Sequence, residues 1–499
     1  MKSIFLITLV YLFTNTALAA QLQINNEAGQ PVAGAQIFIG ENDSSPLVTD
    51  VNGQVEIPKS WTSRAAVTVA ATDYLKSTFL DLSPIDNVLQ IHRSDSKQKM
   101  EISGTAINFE NIKRDGKVDF ALVYPALTGR QLLRFNVDTI ISSEFDIIKI
   151  VTEEVAIPSN LALPEQRESY IVPITLNKPS YRMTVGQKGN YRMMATHGQF
   201  PLKQVVDEIR QGKSFYEVVN RFSFIGGGQR EVTVQDSSTG QDIPVNQFAY
   251  SSKVTVKAPN YGNDNVMLSA AMVRQGDLYF SADVKRVEPG QTLDLVIPDS
   301  SESATFASVL LAKSDFEASY QDNEIQTESQ NEISSVLKMA FTKIFNIFRL
   351  EEGQRTGDGD AFDTKGSISL SFTPASEMEP QFLGFTAKPI LSENFLKLSP
   401  PNAIDGVESV ATYVLLSEVE KVDKGRYTVE NTYRVWELAQ LGWASELSLP
   451  LDQLQLDTGK TYRWEVLFLG KKVGHNRKSE EYFLDGITHV SRNSLDFTK

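Results

Sequence analysis

Most of the chain consists of short segments in which apolar and polar residues alternate, separated by turn-forming residues. Near the N-terminus, apolar residues recur at Leu22 and Ile24 and then at Val32, Ala35, Ile37 and Ile39. Alternation of this kind is typical of half-buried β-strands, and the breaks between segments are rich in glycine, proline and asparagine. Similar segments recur as far as the C-terminus. The pattern predicts a mainly β protein.

One stretch after Pro201 departs from the strand pattern. Its apolar residues recur at intervals of three and four, which is the helical period. Pro201 would occupy the first turn of a helix, where proline is tolerated. We therefore predict two short amphipathic helices in this stretch, with apolar positions Val205, Val206, Ile209, Phe215, Val218, Val219 and Phe222.

A second helical pattern lies at residues 331–350, inside a long insertion at residues 314–366. Eight apolar residues fall on one side of the predicted helix, and the acidic, polar segments on either side of it are expected to be flexible. An apolar side this wide has to be covered. It could pack onto a neighbouring sheet of the same chain, or it could dock on a partner protein or in a membrane interface. The docking interpretation uses Val336, Phe341, Ile344, Phe345 and Phe348.

Three local patterns give further predictions. Asn52-Gly53, between apolar segments, predicts a β-hairpin, because glycine readily adopts the positive φ of such turns. Gly226-Gly227-Gly228 lacks the spacing of a phosphate-binding loop and is predicted to be a turn. Residues 132–137 are predicted to form a strand.

The first residues have the features of a secretory signal peptide. Lys2 precedes an apolar run from Ile4 to Phe13, which is shorter than the roughly 20 residues needed to span a bilayer. Ala17-Leu18-Ala19 then offers a cleavage site, so residues 1–19 would be removed. We expect an exported protein of the periplasm, cell surface or extracellular space. Without a cysteine it cannot be a lipoprotein.

Composition narrows the chemistry. The 499 residues include no cysteine, which excludes disulfides, thiolate nucleophiles and zinc–thiolate sites. The formal net charge of −14 disfavours a nucleic-acid partner. We expect the exported chain to fold without cofactors.

The candidate reactive residues are few. Four scattered histidines form no metal-binding or hydrolase motif, so no catalytic residue is nominated. The adjacent pair Glu153 and Glu154 would point to opposite sides of a strand and could not flank one glycosidic bond. Asp358, Asp360 and Asp363 stand beside glycine as in calcium-binding loops, although the EF-hand spacing is absent.

Two aromatic groups invite a ligand-binding interpretation. Trp436, Trp443 and Trp464 could bind sugar, but aromatic residues of sandwich strands are usually core. Tyrosine, arginine and methionine recur at residues 181–183 and 191–194. Paired strands produce such a pattern without any ligand. We therefore favour a structural role for both groups: core packing for the tryptophans and strand pairing for residues 181–183 and 191–194.

The N-terminal segments carry a resemblance to a known family. Residues 26–39, 47–55 and 67–76 resemble the carboxypeptidase regulatory-like domain, a transthyretin-like β-sandwich. The matching positions are Gly29, Pro31, Val32, Gly34, Ala35, Thr49, Asp50, Gly53 and Tyr74. Asp73 stands where the family usually has glycine. The resemblance implies an accessory sandwich without catalytic residues.

The C-terminal segment resembles a fibronectin type III-like domain. Leu456 is followed six residues later by Tyr462, which opens an alternating strand with Trp464, Val466 and Phe468. This spacing is that of the tyrosine corner of two-sheet sandwiches. The resemblance again implies no catalytic residue.

These observations predict several tandem β-sandwich (immunoglobulin-like) domains, with helices on the second domain and one amphipathic helix in the long insertion. The predicted boundaries are 20–95 for the regulatory-like sandwich, 101–250 for the helix-bearing domain, 251–375 for a third sandwich with the insertion, and 376–499 for the type III-like domain. We expect a non-catalytic binding or adhesion protein whose partner is an envelope protein or a surface glycan, with a peripheral membrane contact through residues 331–350. Two alternatives stay open: a secreted hydrolase with its active site in residues 101–250, and a carbohydrate-binding accessory protein.

Overall fold

A computed structural model describes residues 20–40, 45–85, 87–97, 99–109, 116–134, 139–142, 144–150, 153–169, 173–211, 213, 215–299, 301, 304–312, 367–423, 428–450, 456–474 and 486–499. Strands dominate and the helices are short. The prediction of a mainly β protein with several sheets and few helices is confirmed.

The N-terminal unit contains seven strands in two facing sheets, ordered β4-β1-β7 and β3-β2-β5-β6. Its apolar side chains, among them Leu22, Ile37 and Val69, are fully buried between the sheets, as alternation along each strand requires. The strands are β1 (Gln21–Asn25), β2 (Gln36–Ile39), β3 (Leu47–Val48), β4 (Gln54–Glu56), β5 (Ala65–Ala70), β6 (Lys76–Leu82) and β7 (Asn87–Gln90).

The second stretch of chain adds strands and the α-helices found among the described residues. Its strands are β8 (Met100–Ile107), β9 (Val118–Pro125), β10 (Leu127–Thr128), β11 (Phe145–Ile150), β12 (Glu153–Pro158), β13 (Leu161–Ser169), β14 (Pro173–Lys178), β15 (Ser180–Val185), β16 (Gly189–Phe200), β17 (Ser223–Val234) and β18 (Ile243–Pro244). The helices are α1 (Gly129–Arg134), α2 (Leu202–Arg210) and α3 (Phe215–Val218), and a 3-10 turn follows at Val219–Arg221. The two helices predicted after Pro201 are therefore present.

The remaining strands complete the sheets. They are β19 (Phe248–Lys257), β20 (Asn265–Gln275), β21 (Leu278–Arg286), β22 (Thr292–Pro298), β23 (Ala304–Ala312), β24 (Ile368–Pro374), β25 (Ile390–Ser392), β26 (Phe395–Lys397), β27 (Val407–Asp423), β28 (Thr428–Leu441), β29 (Glu446–Ser448), β30 (Thr461–Lys472) and β31 (His489–Thr498). A second 3-10 turn occupies Ala375–Glu377.

One sheet runs through much of the molecule. It has thirteen strands in the order β10-β21-β20-β23-β24-β31-β30-β27-β28-β6-β5-β2-β3. A seven-stranded sheet, β14-β13-β9-β16-β17-β19-β22, belongs to the middle of the chain. Strand β24 pairs with β23 on one side and with β31 on the other, so the sheet continues across the predicted boundary at residues 375 and 376. The domain boundaries themselves stay predictions.

Three local predictions were wrong. The strands on either side of Asn52-Gly53 form no hairpin, because β3 pairs with β2 whereas β4 pairs with β1, and the turn crosses from one sheet of the sandwich to the other. Residues 129–134 form α1, where a strand had been predicted from residue 132. The three glycines at 226–228 lie inside β17.

The position of the glycines has a steric cause. A Cβ atom at Gly228 would lie 1.7 Å from the carbonyl oxygen of Pro244, and one at Gly227 would lie 2.7 Å from the backbone oxygen of Ala195. The chain from Pro244 to Tyr250 passes too close to β17 for any side chain there. The glycines mark a close approach of two backbone segments.

Among the residues that the structure describes, no helix has the length and apolar content to span a bilayer. The signal-peptide residues 1–19 and the predicted helix at 331–350 lie outside the described residues.

Candidate functional site at the seam between the N- and C-terminal units

The N-terminal unit joins the C-terminal strands through one parallel strand pair, which we call the seam. Strand β6 pairs with β28 over four positions, from Lys76 opposite Trp436 to Phe79 opposite Ala439. All other neighbours of β27, β28, β30 and β31 within this sheet are antiparallel. The seam therefore extends one sheet across two units that lie at opposite ends of the sequence.

A buried carboxylate lies at the centre of the seam. Glu437 is 3% exposed and its carboxylate oxygens accept hydrogen bonds from three side chains. Ser77 Oγ lies 2.6 Å away, Tyr413 Oη lies 2.5 Å away, and His92 Nδ1 lies 2.9 and 3.1 Å from the two oxygens. The donors come from β6, from β27 and from the segment after β7. These hydrogen bonds compensate the loss of water that burying a charge entails.

A bidentate ion pair lies next to this cluster. Arg434 on β28 is hydrogen-bonded to both carboxylate oxygens of Asp95, which follows the N-terminal unit. The backbone N–H of Arg434 also donates to Asp95, at 2.9 Å. Burial alone raises the pKa of Asp95, but the hydrogen bonds and charge of Arg434 outweigh it and hold that pKa below its usual value. The pKa of Arg434 is raised, since Asp95 outweighs the opposing effect of burial.

The pairing continues along the segment after Asp95. Lys97 Nζ lies 2.8 Å from a carboxylate oxygen of Glu418 and 5.5 Å from the centre of the Tyr433 ring. Lys460 reaches the same carboxylate at 3.2 Å. Burial raises the pKa of Glu418, and the two lysines lower it by more, so its pKa is below the usual range. Residues 92–97 are thus fastened along β27 and β28.

The cluster at Glu437 contains a serine, a histidine and a carboxylate but is not connected as a hydrolase triad. In a triad the histidine lies between the other two groups, so that it can take the proton of the serine. Here the carboxylate of Glu437 lies between Ser77 and His92 and binds both. The side chains are also buried, with Ser77 only 1% exposed. The arrangement fixes the two units relative to each other.

Two further ionic clusters lie on the same side of the C-terminal sheet. Glu465 is 5% exposed and lies 3.1 Å from Arg134 of α1 and 3.5 Å from Arg492. Burial raises the pKa of Glu465, but the two arginines lower it by more. Beside it, Arg463 binds Glu430 at 2.7 Å and Asp496 at 2.6 Å. This side of the sheet holds both the segment after β7 and α1 through charges.

The second stretch of chain, where the hydrolase alternative placed its active site, holds a buried histidine–carboxylate pair. His197 Nε2 lies 3.3 Å from Asp119, which also accepts a 2.6 Å hydrogen bond from the side chain of Gln199. The ring of Phe109 packs edge-on against His197 at 5.0 Å between ring centres. Neither Gln199 nor Phe109 can act as a nucleophile, so these contacts orient the pair within the core.

The three tryptophans nominated for sugar binding differ in burial. Trp436 and Trp464 have no exposed surface and lie 6.1 Å apart between ring centres in the C-terminal core. Trp443 is half-buried and its indole N–H donates to the backbone oxygen of Leu469. Trp436 also donates to Thr78 Oγ1 across the seam, at 2.8 Å.

The tyrosine and methionine pattern belongs to the core of the middle strands. Tyr181, Met183, Met193 and Met194 are buried. Arg192 is half-buried and pairs with Glu231 across β16 and β17. Strand pairing accounts for the pattern.

The nominated calcium ligands and docking residues all belong to the insertion at residues 314–366. The carboxylates Asp358, Asp360 and Asp363 and the docking residues Val336, Phe341, Ile344, Phe345 and Phe348 lie outside the described residues. Glu153 and Glu154 begin β12.

Sequence reasoning did not find the seam. His92 and Glu437 are 345 residues apart, and Asp95 and Arg434 are 339 apart, so no local spacing connects them. The one signal in the sequence is the presence of charged residues, Glu437 and Arg434, within an otherwise apolar strand that reads TYRVWELAQL.

Comparison with known proteins gives little further information. No family model matches the chain, and no curated protein matches it. Among solved structures, a streptococcal ancillary pilin is 9% identical, with 58% of this chain and 88% of that chain covered and a TM-score of 0.14. The TIE protein of Bacillus anthracis is 9% identical, with 58% and 44% covered and a TM-score of 0.14. A variant of BcpA, the major pilin subunit of Bacillus cereus, is 10% identical, with 58% and 86% covered and the same TM-score. Scores this low carry no argument about function.

Proposed function

We propose that this chain is an exported, non-catalytic, multidomain β protein of the cell envelope that binds an envelope protein or a surface glycan. The observation that supports this most is the seam, which builds the N- and C-terminal units into one sheet through buried, mutually paired charges. A rigid array of sheets holds loops in fixed positions, and loops at sandwich ends commonly carry binding specificity.

Two backbone features support the proposed module types. Asp73, which replaces the glycine of the regulatory-like family, has a φ of 68°. Tyr462 Oη accepts a hydrogen bond from the backbone N–H of Asp457 at 3.0 Å, which is the upstream contact of a tyrosine corner. We therefore assign a carboxypeptidase regulatory-like module to the N-terminal unit and a fibronectin type III-like module to the C-terminal unit. Both are accessory modules.

The binding proposal is tested by capture. Residues 20–499, immobilised through a tag, are incubated with separate envelope-protein and surface-glycan fractions, and retained material is identified by mass spectrometry. The control is the same chain unfolded by heat before immobilisation. Retention of one fraction by the folded chain alone is expected. If the folded chain and the heat-unfolded chain retained equal amounts of a fraction, specific binding would be contradicted.

The segment at 331–350 is proposed as the membrane or partner contact. A variant lacking residues 331–350 should keep the strand content and melting temperature of the intact chain, because the sandwich folds do not depend on this segment, but it should associate less with envelope vesicles in flotation. A matched control replaces Lys338 and Arg349 with glutamine, which keeps the apolar side and removes two of its flanking charges. If the deletion abolishes soluble expression, the segment belongs to the core and the docking proposal fails.

The hydrolase alternative is favoured by one observation, the buried pair of His197 and Asp119 in residues 101–250. A panel of glycoside, ester and peptide substrates tests it. Turnover that is lost in His197→Ala, and kept in a variant of the exposed Lys188, would establish hydrolysis and displace the binding proposal.

The acidic segment with Asp358, Asp360 and Asp363 is the one metal site that we propose, and calcium is the ion that its carboxylates would take. Titration calorimetry with millimolar calcium tests it, with the triple aspartate-to-asparagine variant as control. Equal heats for the two chains would remove the site.

A further inference from the structure

The contacts across the seam are mostly polar. The apolar cores of the N- and C-terminal units are separate clusters. Across the seam, Leu80 and Ala66 of the N-terminal unit pack in the C-terminal cluster, and Ala439 of β28 packs against the N-terminal cluster. The remaining contacts described above are hydrogen bonds and ion pairs, centred on Glu437 and Arg434. A contact of this composition gains little from apolar burial and depends on its charges being complete.

The strand pairing at the seam is short. Strands β6 and β28 pair at four positions, whereas β28 pairs with β27 at thirteen. Each strand also belongs to a unit with its own buried core. Separating β6 from β28 withdraws Leu80 from the C-terminal core and leaves the other buried members of each cluster within their own unit. The seam is therefore as short as the β24–β31 pairing, which also has four positions, and much shorter than the pairings among β27, β28, β30 and β31.

We propose that the seam is a latch, which opens as a unit when Asp95 and Glu437 lose their charges and releases the N-terminal sandwich without unfolding it. The carboxylate of Asp95 faces Arg434 of β28 and, at longer range, Arg134 of α1. Glu437 faces His92 from the segment after β7, Ser77 from β6 and Tyr413 from β27, with Arg434 adjacent. When Asp95 is protonated, Arg434 is left as a buried cation without its partner, which strongly destabilises the closed state.

The direction of the pH effect follows from these contacts. Asp95 binds its proton more weakly in the closed latch than when the segment is free, because Arg434 stabilises the carboxylate. The closed state is therefore fully stabilised above the ordinary aspartate pKa of about 3.9 and loses that stabilisation as the pH falls further. Opening is expected only at pH values where the carboxylates themselves titrate.

The test uses distance measurements between the two units. Since the chain has no cysteine, Val51→Cys and Val473→Cys introduce two labelling sites, at residues that are 82% and 65% exposed. Pulsed electron paramagnetic resonance on the full exported chain then reports the distance between the labels. At pH 7 the distribution should be narrow, and Asp95→Asn should broaden it at the same pH while strand content, measured by circular dichroism, is unchanged.

Two matched variants separate the latch from a general loss of stability. Asp81 pairs with Arg64 on the exposed surface of the N-terminal unit, so Asp81→Asn should leave the distribution narrow. In the double variant Asp95→Asn with Arg434→Gln, the buried positive charge that lost the Asp95 carboxylate is also removed. The distribution of label distances should therefore become narrow again.

The proposal is overturned if Asp95→Asn and Asp81→Asn give the same narrow distribution. If Asp95→Asn does not fold, the labelled chain with both carboxylates intact is titrated from pH 7 to pH 2. The label distance must then change before strand content falls. If the label distance and the strand content change at the same pH, the latch proposal is also overturned.

Discussion

Asp73 illustrates at the scale of one residue how a departure from a family pattern is accommodated. It is exposed and has a φ of 68°, a region that glycine occupies freely and that aspartate tolerates better than most residues. Its backbone oxygen accepts a hydrogen bond from Ser94, which fastens the segment after β7. The sequence identified the position as unusual, and the backbone conformation explains why aspartate can replace glycine.

Asp73→Gly should leave stability unchanged or raise it by up to about 1 kcal/mol, since the relief of the strained φ is opposed by the greater freedom of the unfolded chain. Asp73→Val should lower stability by about 1–3 kcal/mol, because a β-branched side chain is strongly disfavoured at this φ. Thermal unfolding of the two variants beside the parent chain measures the difference. Equal melting temperatures for glycine and valine would show that the turn adjusts.

The acid sensitivity of the chain is set by a few buried carboxylates. Arg134 and Arg492 keep the pKa of Glu465 low in the folded state despite its burial. Its contribution to stability is therefore complete above the unfolded pKa of about 4.3 and is lost as the pH falls through the folded value.

Glu465→Gln should lower the free energy of unfolding at pH 7 by about 3–5 kcal/mol, because it removes the buried carboxylate that both Arg134 and Arg492 contact. It should also flatten the fall in stability between about pH 5 and pH 3, because the titrating group is gone. Denaturant unfolding at several pH values measures both effects. The exposed pair of Lys188 and Asp236 supplies the control, and Asp236→Asn should change stability by less than about 1 kcal/mol.

At the scale of elements, alternation identified most strands but not their partners. The alternating segments around Leu22, around Ile37 and from Tyr462 to Phe468 are all strands in the structure. Strand β6 and strand β28 each carry an ordinary strand pattern, and nothing in either pattern indicates that they pair. The hairpin predicted at Asn52-Gly53 was wrong for the same reason, because a turn signal does not specify to which sheet the next strand belongs.

Strand β17 shows what the glycine run accomplishes. Gly228→Ala should destabilise the protein by about 3 kcal/mol, since the new methyl group would overlap the backbone of Pro244, which cannot move as a side chain would. Gly186→Ala has open space and serves as the control, with an expected change of less than about 1 kcal/mol. Melting temperatures of the two variants test the contrast. Similar melting temperatures would mean that the backbone at Pro244 can move away from β17 to accommodate the methyl group.

At the scale of the whole molecule, the sequence predicted the class of fold and left the candidate site undetected. Periodicity reports which residues face a core, and the β content followed from it. The contacts of His92, Asp95, Arg434 and Glu437 depend on how distant units meet, and local pattern contains no information about that meeting. Motif searches look for catalytic and metal-binding residues at short spacings. These four side chains instead bind one another in structural ion pairs and hydrogen bonds, so such a search does not find them.

The parallel pairing of β6 and β28 also determines how the molecule would carry tension. If β1 and β31 were pulled apart, the shortest load path would run through the N-terminal sandwich, across β6 and β28, and through β27 and β30 to β31. The covalent route through the middle of the chain is far longer and would stay slack. The four paired positions of the seam are fewer than those of any later pairing on this path, so they would separate before β28, β27, β30 and β31 came apart. The molecule would then lengthen by taking up the middle of the chain while the C-terminal strands stayed paired.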